Sequence, residues 1–259
     1  MLSAWRRWRE ARALQRHAIP DELWQLTLLR YPFLALRSSD DLTELRRLCS
    51  LFLAEKEFHG AGGFVVTDEV AVAVAAQACL PVLRLGLAWY DGFVGIVMHD
   101  QDVVARRHVE DEHGIVHEYD EELAGEAMEG GPLMLSWQSI AASDDPAEAG
   151  TDAVYNVVIH EFAHVLDMHD GAADGVPPLP ATERQAWIDT LDGAWAQFCE
   201  RVDRGDDTLI DPYGAEAVEE FFAVAVEAFF VAPAALQREE PAVYALLRGF
   251  FRQDPAPMP

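Results

Sequence analysis

Basic residues are scarce in this 259-residue sequence, which has 19 lysines and arginines against 45 aspartates and glutamates. The formal net charge is −26, and Lys56 is the single lysine. An acidic surface repels phosphate groups, so we expect neither direct nucleic-acid binding nor binding to an anionic membrane surface. The first sixteen residues are an exception because they are rich in arginine. We expect a basic first helix there, with Trp5 and Trp8 packed inward.

Cysteines and long apolar runs are also few. Cys49, Cys79 and Cys199 are odd in number and form no CxxC pair, which argues against a disulfide framework or a thiolate metal site. A reducing compartment, and hence a cytoplasmic location, is the expectation. The most apolar stretch, residues 71–83, is interrupted by Gln77 and Pro81 and is too short to cross a bilayer. The basic start is not followed by the apolar core of a secretory signal.

The rest of the composition is that of a folded globular protein, since 51% of the residues are apolar. Leucines and tryptophans at helical spacing predict helices through residues 1–58, followed by a glycine-rich break. Thr67 and Asp68 are suited to cap a helix that runs to about residue 80. We therefore divide the chain into an N-terminal helical region, 1–88, and a catalytic region, 89–259, which together form one compact unit.

The second region mixes strands and helices. Short runs rich in β-branched and aromatic residues between 89 and 140 predict a small, largely antiparallel sheet, with a hairpin turn at 111–114. Residues 141–151 form a loop, and Asp152 is the expected cap of the next helix. Further helices are predicted at about 182–203, 215–231 and 239–252. The predicted fold class is α+β, mostly helical with a small sheet.

The strongest chemical signal is the run His160-Glu161-Phe162-Ala163-His164. Residues four apart lie on one face of a helix, so both imidazoles can bind one Zn²⁺ ion. Glu161 is rotated by about 100° from His160 and is better placed to accept a proton from a zinc-activated water. The apolar flanks place the motif on a buried helix, where polar side chains are costly unless they are paired or bound to metal. A pair of hydrogen-bonded core histidines is the alternative.

A catalytic zinc needs a third protein ligand. Asp167 and Asp170 stand where a metzincin would have glycine and histidine, which excludes that class. The remaining source is a glutamate on the apolar helix 215–231. Glu220 and Glu227 share a face of that helix, whereas Glu219 points elsewhere, so spacing favours Glu220 and leaves Glu219 open.

Longer segments resemble the Mlc titration factor A family of zinc metallopeptidases, and the likeness extends over nearly the whole chain. HExxH alone occurs in many families, but several segments in one order make the resemblance specific. The matching segments are residues 79–93, 130–137, 154–168, 175–177, 213–230 and 251–255.

The resemblance implies a zincin-like fold of gluzincin type, related to the catalytic domain of anthrax lethal factor. In the family's downstream motif the metal-binding glutamate lies seven residues after a tyrosine and seven before another glutamate, which assigns Glu220 between Tyr213 and Glu227. One Zn²⁺ per chain would be held by His160, His164 and Glu220. Tyr213 would stabilise the oxyanion of the tetrahedral intermediate.

Three residues are candidates for supporting the ligands. Asp167 lies near the azimuth of the two histidines and could accept the free N–H of one of them. Asn156 lies one turn before His160, and Glu227 could orient a histidine. The sequence departs from the family at Met128, where relatives often have tryptophan, which leaves the substrate preference open. The loop 143–150 and the linker 170–182 are also expected to vary.

The expected function is hydrolysis of peptide bonds, with Glu161 as general base and an aminopeptidase activity as one form of it. The substrate is expected to be a peptide or protein. Because the family is named for sequestering the glucose-responsive repressor Mlc, a transcriptional repressor is a second expected partner. A regulatory binding protein that keeps only a structural zinc site is the alternative function. A di-iron site is disfavoured, since the one other ExxH pair, Glu110 and His113, falls on the predicted hairpin.

Overall fold

The computed structural model describes residues 2–110, 116–128, 130–142 and 154–256. The predicted hairpin turn, the loop 143–150 and Asp152 lie outside the described residues. The N-terminal part is helical, as expected, but Trp8, which was predicted to pack inward, is 56% exposed. Its helices are α1 (Leu2–Arg16), α2 (Asp21–Arg30), α3 (Pro32–Ala35), α4 (Ser39–Glu55) and α5 (Asp68–Cys79).

After α4, one strand precedes α5, and the other five described strands follow α5 before the remaining helices begin. The strands are β1 (Glu57–Gly60), β2 (Gly95–His99), β3 (Val103–Glu110), β4 (Val116–Leu123), β5 (Gly125–Ala127) and β6 (Leu133–Ser136). The remaining helices are α6 (Trp137–Ala142), α7 (Val157–Asp167), α8 (Ala181–Asp203), α9 (Val218–Val231), α10 (Pro233–Glu239) and α11 (Pro241–Phe251). Short 3₁₀ helices cover Leu87–Tyr90, Met168–Asp170 and Pro212–Ala215. The content of long helices and few short strands confirms the α+β class.

The main sheet corrects one prediction, because it is mixed where a largely antiparallel sheet was expected. Its order is β1-β2-β6-β5, with β1 parallel to β2, β2 parallel to β6, and β5 antiparallel to β6. β3 and β4 form a separate antiparallel pair. Strand β1 begins at Glu57, whereas the helices were predicted to extend to residue 58. The backbone of Glu57 leaves the helix to donate to the Val94 carbonyl at 2.9 Å, and this contact starts the pairing with β2.

Two helix boundaries also differ from the prediction. The predicted last helix, 239–252, corresponds to α11, and helix α10 before it was not predicted; the two are separated at Glu240, which has φ −128° and ψ 64°. Pro241 disfavours helical geometry at the preceding residue and lacks an N–H for the earlier helix, so a new helix starts there. Helix α9 begins at Val218, after the 3₁₀ helix that carries Tyr213. Helix α5 is capped by Thr67 as expected, since its hydroxyl accepts from the Val70 N–H at 3.3 Å.

Helix α7 lies at the centre of the core. It packs against strands β5 and β6 and against helices α5 and α9. Phe162 on α7 is fully buried, and its ring lies 4.9 Å from that of Tyr90 and 5.7 Å from that of Phe52. Aromatic pairs at these separations fix ring positions as well as burying apolar area. The helix that carries the HExxH motif is therefore held on several sides. Among the described residues, no helix is both long enough and apolar enough to cross a membrane.

Candidate metal site

Helix α7 begins at an asparagine that caps it. The Asn156 side-chain oxygen accepts a hydrogen bond from the Ile159 N–H at 3.0 Å and satisfies one of the free donors of the first turn. Helix α7 thus begins at Val157, later in the chain than the sequence suggested. His160 and His164 lie one turn apart on the side of α7 that faces α9, each with a side chain 13% exposed. Both imidazoles thus open onto a cleft while their helix stays buried.

Glu220, in the first turn of α9, completes a cluster of three ligand-type atoms. Its Oε2 lies 3.1 Å from His160 Nε2 and 3.3 Å from His164 Nε2, and the two Nε2 atoms are 3.1 Å apart. Two ligands at zinc distances of about 2.0–2.1 Å, separated by a tetrahedral angle, are about 3.3–3.4 Å apart. The triangle of one oxygen and two nitrogens therefore fits a tetrahedral zinc. Of all the described residues, this group alone brings three histidine, cysteine or acidic side chains together in a metal-binding arrangement.

The electrostatics of the cluster agree with this fit. Burial by itself would raise the pKa of Glu220, but hydrogen bonds from both histidines lower it to about 2. Glu220 is thus an ionised carboxylate at neutral pH. Burial by itself would lower the pKa of His160, yet its contacts with Glu220 and Glu227 raise it well above the usual value. Negative charge is concentrated around these imidazoles, as a cation site requires.

Glu227 lies two turns farther along α9 and is only 1% exposed. Its Oε1 is 2.8 Å from His160 Nδ1, and its Oε2 accepts a hydrogen bond from the Asn156 N–H. If its Nδ1 proton is donated to this carboxylate, the Nε2 lone pair of His160 would be available to a cation held between His160, His164 and Glu220. A carboxylate behind a ligand histidine fixes the tautomer and increases its basicity. The structure thus places Glu227 where the sequence suggested, behind a histidine.

Asn156 connects the pair of His160 and Glu227 to helix α5. Its side-chain Nδ2 donates to Gln77 Oε1 at 2.7 Å, and Gln77 in turn donates to the Ala73 carbonyl at 3.1 Å. Both side chains are buried. The role of Gln77 was not predicted, although the sequence holds a signal for it. It is the one polar side chain in the apolar part of α5, and buried amides need hydrogen-bond partners.

Glu161 faces the cleft beside strand β5 and is 5% exposed. The Ala127 N–H donates to its carboxylate. Burial raises the pKa of Glu161, and the nearby imidazoles of His160 and His164 partly oppose that rise. Gly125 on β5 leaves the space for this side chain, because a Cβ there would lie 2.5 Å from Glu161 Cγ and Oε1. Gly125 was not predicted either, and for this residue the sequence holds no signal.

Tyr213 lies on the 3₁₀ helix before α9, with its ring centroid 6.1 Å from that of His160. It is 41% exposed, so its phenol can be reached from the cleft. Its backbone is held from both sides. The Tyr213 N–H donates to Asp211 Oδ1 at 2.9 Å, and Trp195 donates to the Gly214 carbonyl at 3.0 Å. The predicted oxyanion donor is thus brought to the site on a fixed turn.

Asp167 is fully buried one turn beyond His164. Its Oδ2 accepts from the Gly175 N–H at 2.8 Å, while its Oδ1 has no hydrogen-bond partner. Burial raises the pKa of Asp167 to about 6. The hydrogen bond described here goes to the loop after α7, and the suggested contact with a ligand histidine stays a prediction.

The cleft runs along β5 over the metal site. One part, of about 300 Å³, is lined by His160, His164 and Glu220 together with Glu161 and Tyr213. A second part, of about 200 Å³, lies toward the N-terminal end of α7 and includes Tyr155, a further lining residue that was not predicted. Ionisable groups that converge in a cleft beside a metal-type cluster are typical of a hydrolytic active site.

Comparison with known proteins assigns this arrangement to a family. The model of the glucose-regulated metallopeptidase family M90 matches residues 5–252. The chain belongs to the M90 metallopeptidase family. An uncharacterised protein of Synechocystis sp. is 37% identical over 254 residues, which cover 97% of this chain and 90% of the relative.

Two further relatives of this M90 chain carry the name Mlc titration factor A. The protein from Edwardsiella ictaluri is 36% identical over 227 residues, covering 86% of this chain and 85% of the relative. The protein from Yersinia pestis is 33% identical over 230 residues, covering 88% and 83%. The resemblance to the Mlc titration factor A family is thereby confirmed, and membership in a metallopeptidase family agrees with the candidate metal site.

Proposed function

We propose that this M90 chain is a zinc-dependent peptidase that hydrolyses peptide bonds in its cleft. The observation that carries the proposal is the triangle of His160 Nε2, His164 Nε2 and Glu220 Oε2, at 3.1–3.3 Å from one another beside the buried carboxylate of Glu161. A bound Zn²⁺ would supply a Lewis acid at that triangle and lower the pKa of a water there toward about 7.

Each neighbouring side chain has a defined task in this proposal. Glu161 accepts the proton of the attacking water on its carboxylate and passes it to the leaving amine, for which its raised pKa is suited. Tyr213 donates a hydrogen bond from its phenolic O–H to the developing oxyanion. Glu227 holds the Nδ1 proton of His160, so that Nε2 stays available to the metal.

The test compares substitutions of the ligands and of the base. Glu161→Gln should retain one zinc per chain and lose peptidase activity by at least about a hundredfold, because the amide cannot accept the proton. His160→Ala should lose both zinc and activity. Glu220→Gln should lower zinc occupancy, whereas Glu219→Gln, the neighbouring glutamate on α9, should leave it unchanged. Metal content by mass spectrometry and a peptide digest with and without chelator provide the two measurements.

The outcomes separate the competing functions. If Glu161→Gln cleaves peptides as fast as the wild type, the assignment of the base is wrong. A wild-type protein that binds zinc but cleaves no peptide would favour the binding protein with a structural zinc site. The positions of cleavage in the same digest distinguish the release of single N-terminal residues, as by an aminopeptidase, from internal cleavage.

A regulatory contact is a second candidate, favoured by the name of two relatives. Mlc titration factor A is what the Edwardsiella and Yersinia proteins are called, and we propose that this chain also binds a transcriptional repressor. Such a contact would require a cytoplasmic location, which stays a prediction. Binding of a purified repressor from the same genome to the Glu161→Gln variant, measured by calorimetry, tests this role separately from cleavage.

The type of metallopeptidase fold is part of the same proposal. Membership in a metallopeptidase family and an HExxH helix joined by a downstream glutamate support a zincin-like fold of gluzincin type. The relation to the catalytic domain of anthrax lethal factor stays a prediction, which superposition of the two structures would test.

A further inference from the structure

A second, larger cavity opens beside the metal cleft, at the carboxyl end of β5. It has a volume of about 500 Å³ and is lined mainly by aromatic and aliphatic side chains. We call it the apolar side pocket, and its main walls are Trp89, Phe93, Met128, Leu133, Val165 and Met168. Ala127 and Met168 line both this pocket and the metal cleft, so the two spaces adjoin. Its size falls in the range of roughly 300–1,000 Å³ typical of ligand sites.

The walls of the apolar side pocket are fixed by the core beneath them. Trp89 is packed between His169, at a ring distance of 5.0 Å, and Phe250, at 5.5 Å. Phe93 is 7% exposed, and its ring lies 5.9 Å from that of the core residue Phe162. A preformed pocket of this kind costs little ordering when a ligand enters it.

Two ionisable side chains, Asp170 and His169, line the edge of the pocket. Asp170, at its edge, forms an ion pair with Arg184 at 3.6 Å, and His169 packs against Trp89. A charged side chain in the pocket would lose hydration without gaining a counter-ion. An aromatic side chain, in contrast, would bury its area against other rings.

Met128 forms the mouth of the pocket. It is 48% exposed, and its carbonyl accepts from the Gly131 N–H at 3.0 Å, which holds the backbone of this segment. A flexible thioether at the mouth can adjust to rings of different size and makes favourable contacts with them. An exposed methionine above an apolar cavity is thus suited to close over an aromatic group.

The distance from the metal ligands sets which substrate side chain can reach the pocket. Val165 follows His164 directly, and Met168 lies one helical turn beyond it, about 6 Å along the axis. An extended peptide advances about 3.3–3.6 Å per residue. A side chain about two residues from the cleaved bond therefore reaches the pocket.

We propose that the apolar side pocket selects peptides that carry an aromatic residue at one fixed position, about two residues from the scissile bond. This inference rests on the proposed peptidase function. It names the substrate class as peptides with a phenylalanine-like side chain on one side of the cleavage site.

Gly92 offers a way to fill the pocket without disturbing its walls. It lines the cavity, and a Cβ built there meets no atom within 4 Å. Gly92→Trp should occupy the space meant for the substrate ring. Gly193→Trp is the matched control, because Gly193 lies on α8, does not line the pocket and also has open space at its Cβ.

The experiment uses short alanine–serine peptides in which a single phenylalanine is moved through the positions around the cleaved bond. With phenylalanine at one of these positions, the wild type should cleave the peptide with a kcat/KM about tenfold or more above its kcat/KM for the phenylalanine-free peptide. In Gly92→Trp this ratio should fall to near one, while Gly193→Trp keeps the wild-type ratio. If Gly92→Trp and the wild type show the same ratio, or if no position is preferred, the proposal that the pocket selects an aromatic residue is wrong. Cleavage of the peptides in that case would still support the proposed peptidase function.

Binding to an inactive variant gives a second measurement that does not depend on turnover. Fluorescein-labelled peptides with and without the preferred phenylalanine are titrated with zinc-loaded Glu161→Gln and read by anisotropy. The phenylalanine peptide should bind about tenfold more tightly, and the Glu161→Gln/Gly92→Trp double variant should lose that difference. If both peptides bind Glu161→Gln equally, the pocket is overturned, whether or not the wild type cleaves them.

Discussion

At the residue scale, the site depends on buried carboxylates that differ in their surroundings. Glu220 is ionised because its contacts with two imidazoles lower the pKa of its carboxyl group, and Glu227 is held by His160 and the Asn156 N–H. Asp167 has a different environment, since one of its oxygens is buried without a partner. Ionising Asp167 in the folded protein is therefore costly, and this cost has a measurable consequence.

The unfolding free energy of the metal-free protein should depend on pH through Asp167. Its pKa is about 6 when folded, against a usual value of 3.8, so the folded state holds a proton there that the unfolded state has lost. The associated stability is present below pH 4 and is lost as the pH rises through 6. Between pH 4 and pH 7, the unfolding free energy of chelator-treated Asp167→Asn should fall by about 1–3 kcal/mol less than that of chelator-treated wild type. Urea titrations at the two pH values measure this difference. Parallel pH curves for the two proteins would contradict this.

At the scale of single elements, α7 and β5 act together. The helix supplies the two histidines and Glu161, and the strand approaches so closely that a glycine is needed at position 125. The Ala127 N–H on the same strand donates to Glu161. The orientation of the proposed general base is thus set by a strand that lies far from it in the sequence.

Substituting Gly125 should impair the general base without removing the metal. In Gly125→Ala the new methyl group would lie 2.5 Å from Glu161 Cγ and force that side chain out of position. We expect kcat to fall by about tenfold to a hundredfold, since a displaced base costs this much, while zinc content stays at one per chain. Gly193→Ala on α8, where the added methyl meets no atom within 4 Å, is the control and should keep full activity. Full activity in Gly125→Ala would show that β5 does not position the base.

At the scale of the whole molecule, the metal site joins parts of the chain that are distant in sequence. His160 and Glu220 are 60 residues apart, and through Asn156 the network extends to Gln77 on α5, 79 residues earlier. A ligand that binds only the folded state stabilises the whole of a cooperative unit. Metal removal should therefore lower global stability and not only activity.

Thermal unfolding tests this link. With zinc at about a thousand times its Kd, the stabilisation is about 4 kcal/mol, which corresponds to roughly 10 °C in Tm for a chain of this size. Chelator should lower the wild-type Tm by that order, and added zinc should restore it. His160→Ala provides the control and should show no response to zinc. A wild-type Tm that is unchanged by chelator would mean that the cluster contributes nothing to stability.

The sequence by itself determined the local features. The spacing of His160 and His164 follows from helical periodicity, and the Thr67 cap follows from local backbone chemistry. These interactions involve residues within about one helical turn of each other, so they can be inferred from the order of residues. Family resemblance added Glu220 as the third candidate ligand in place of a choice between two glutamates.

Only the tertiary structure decided which distant segments meet. The parallel pairing of β1 with β2 depends on Glu57 leaving a helix to bond Val94, and the need for Gly125 depends on its approach to Glu161. The apolar side pocket likewise forms where the turn at Gly92, the segment at Met128 and the end of α7 converge. Contacts of this kind depend on packing between segments far apart in the chain, and local periodicity carries no information about them.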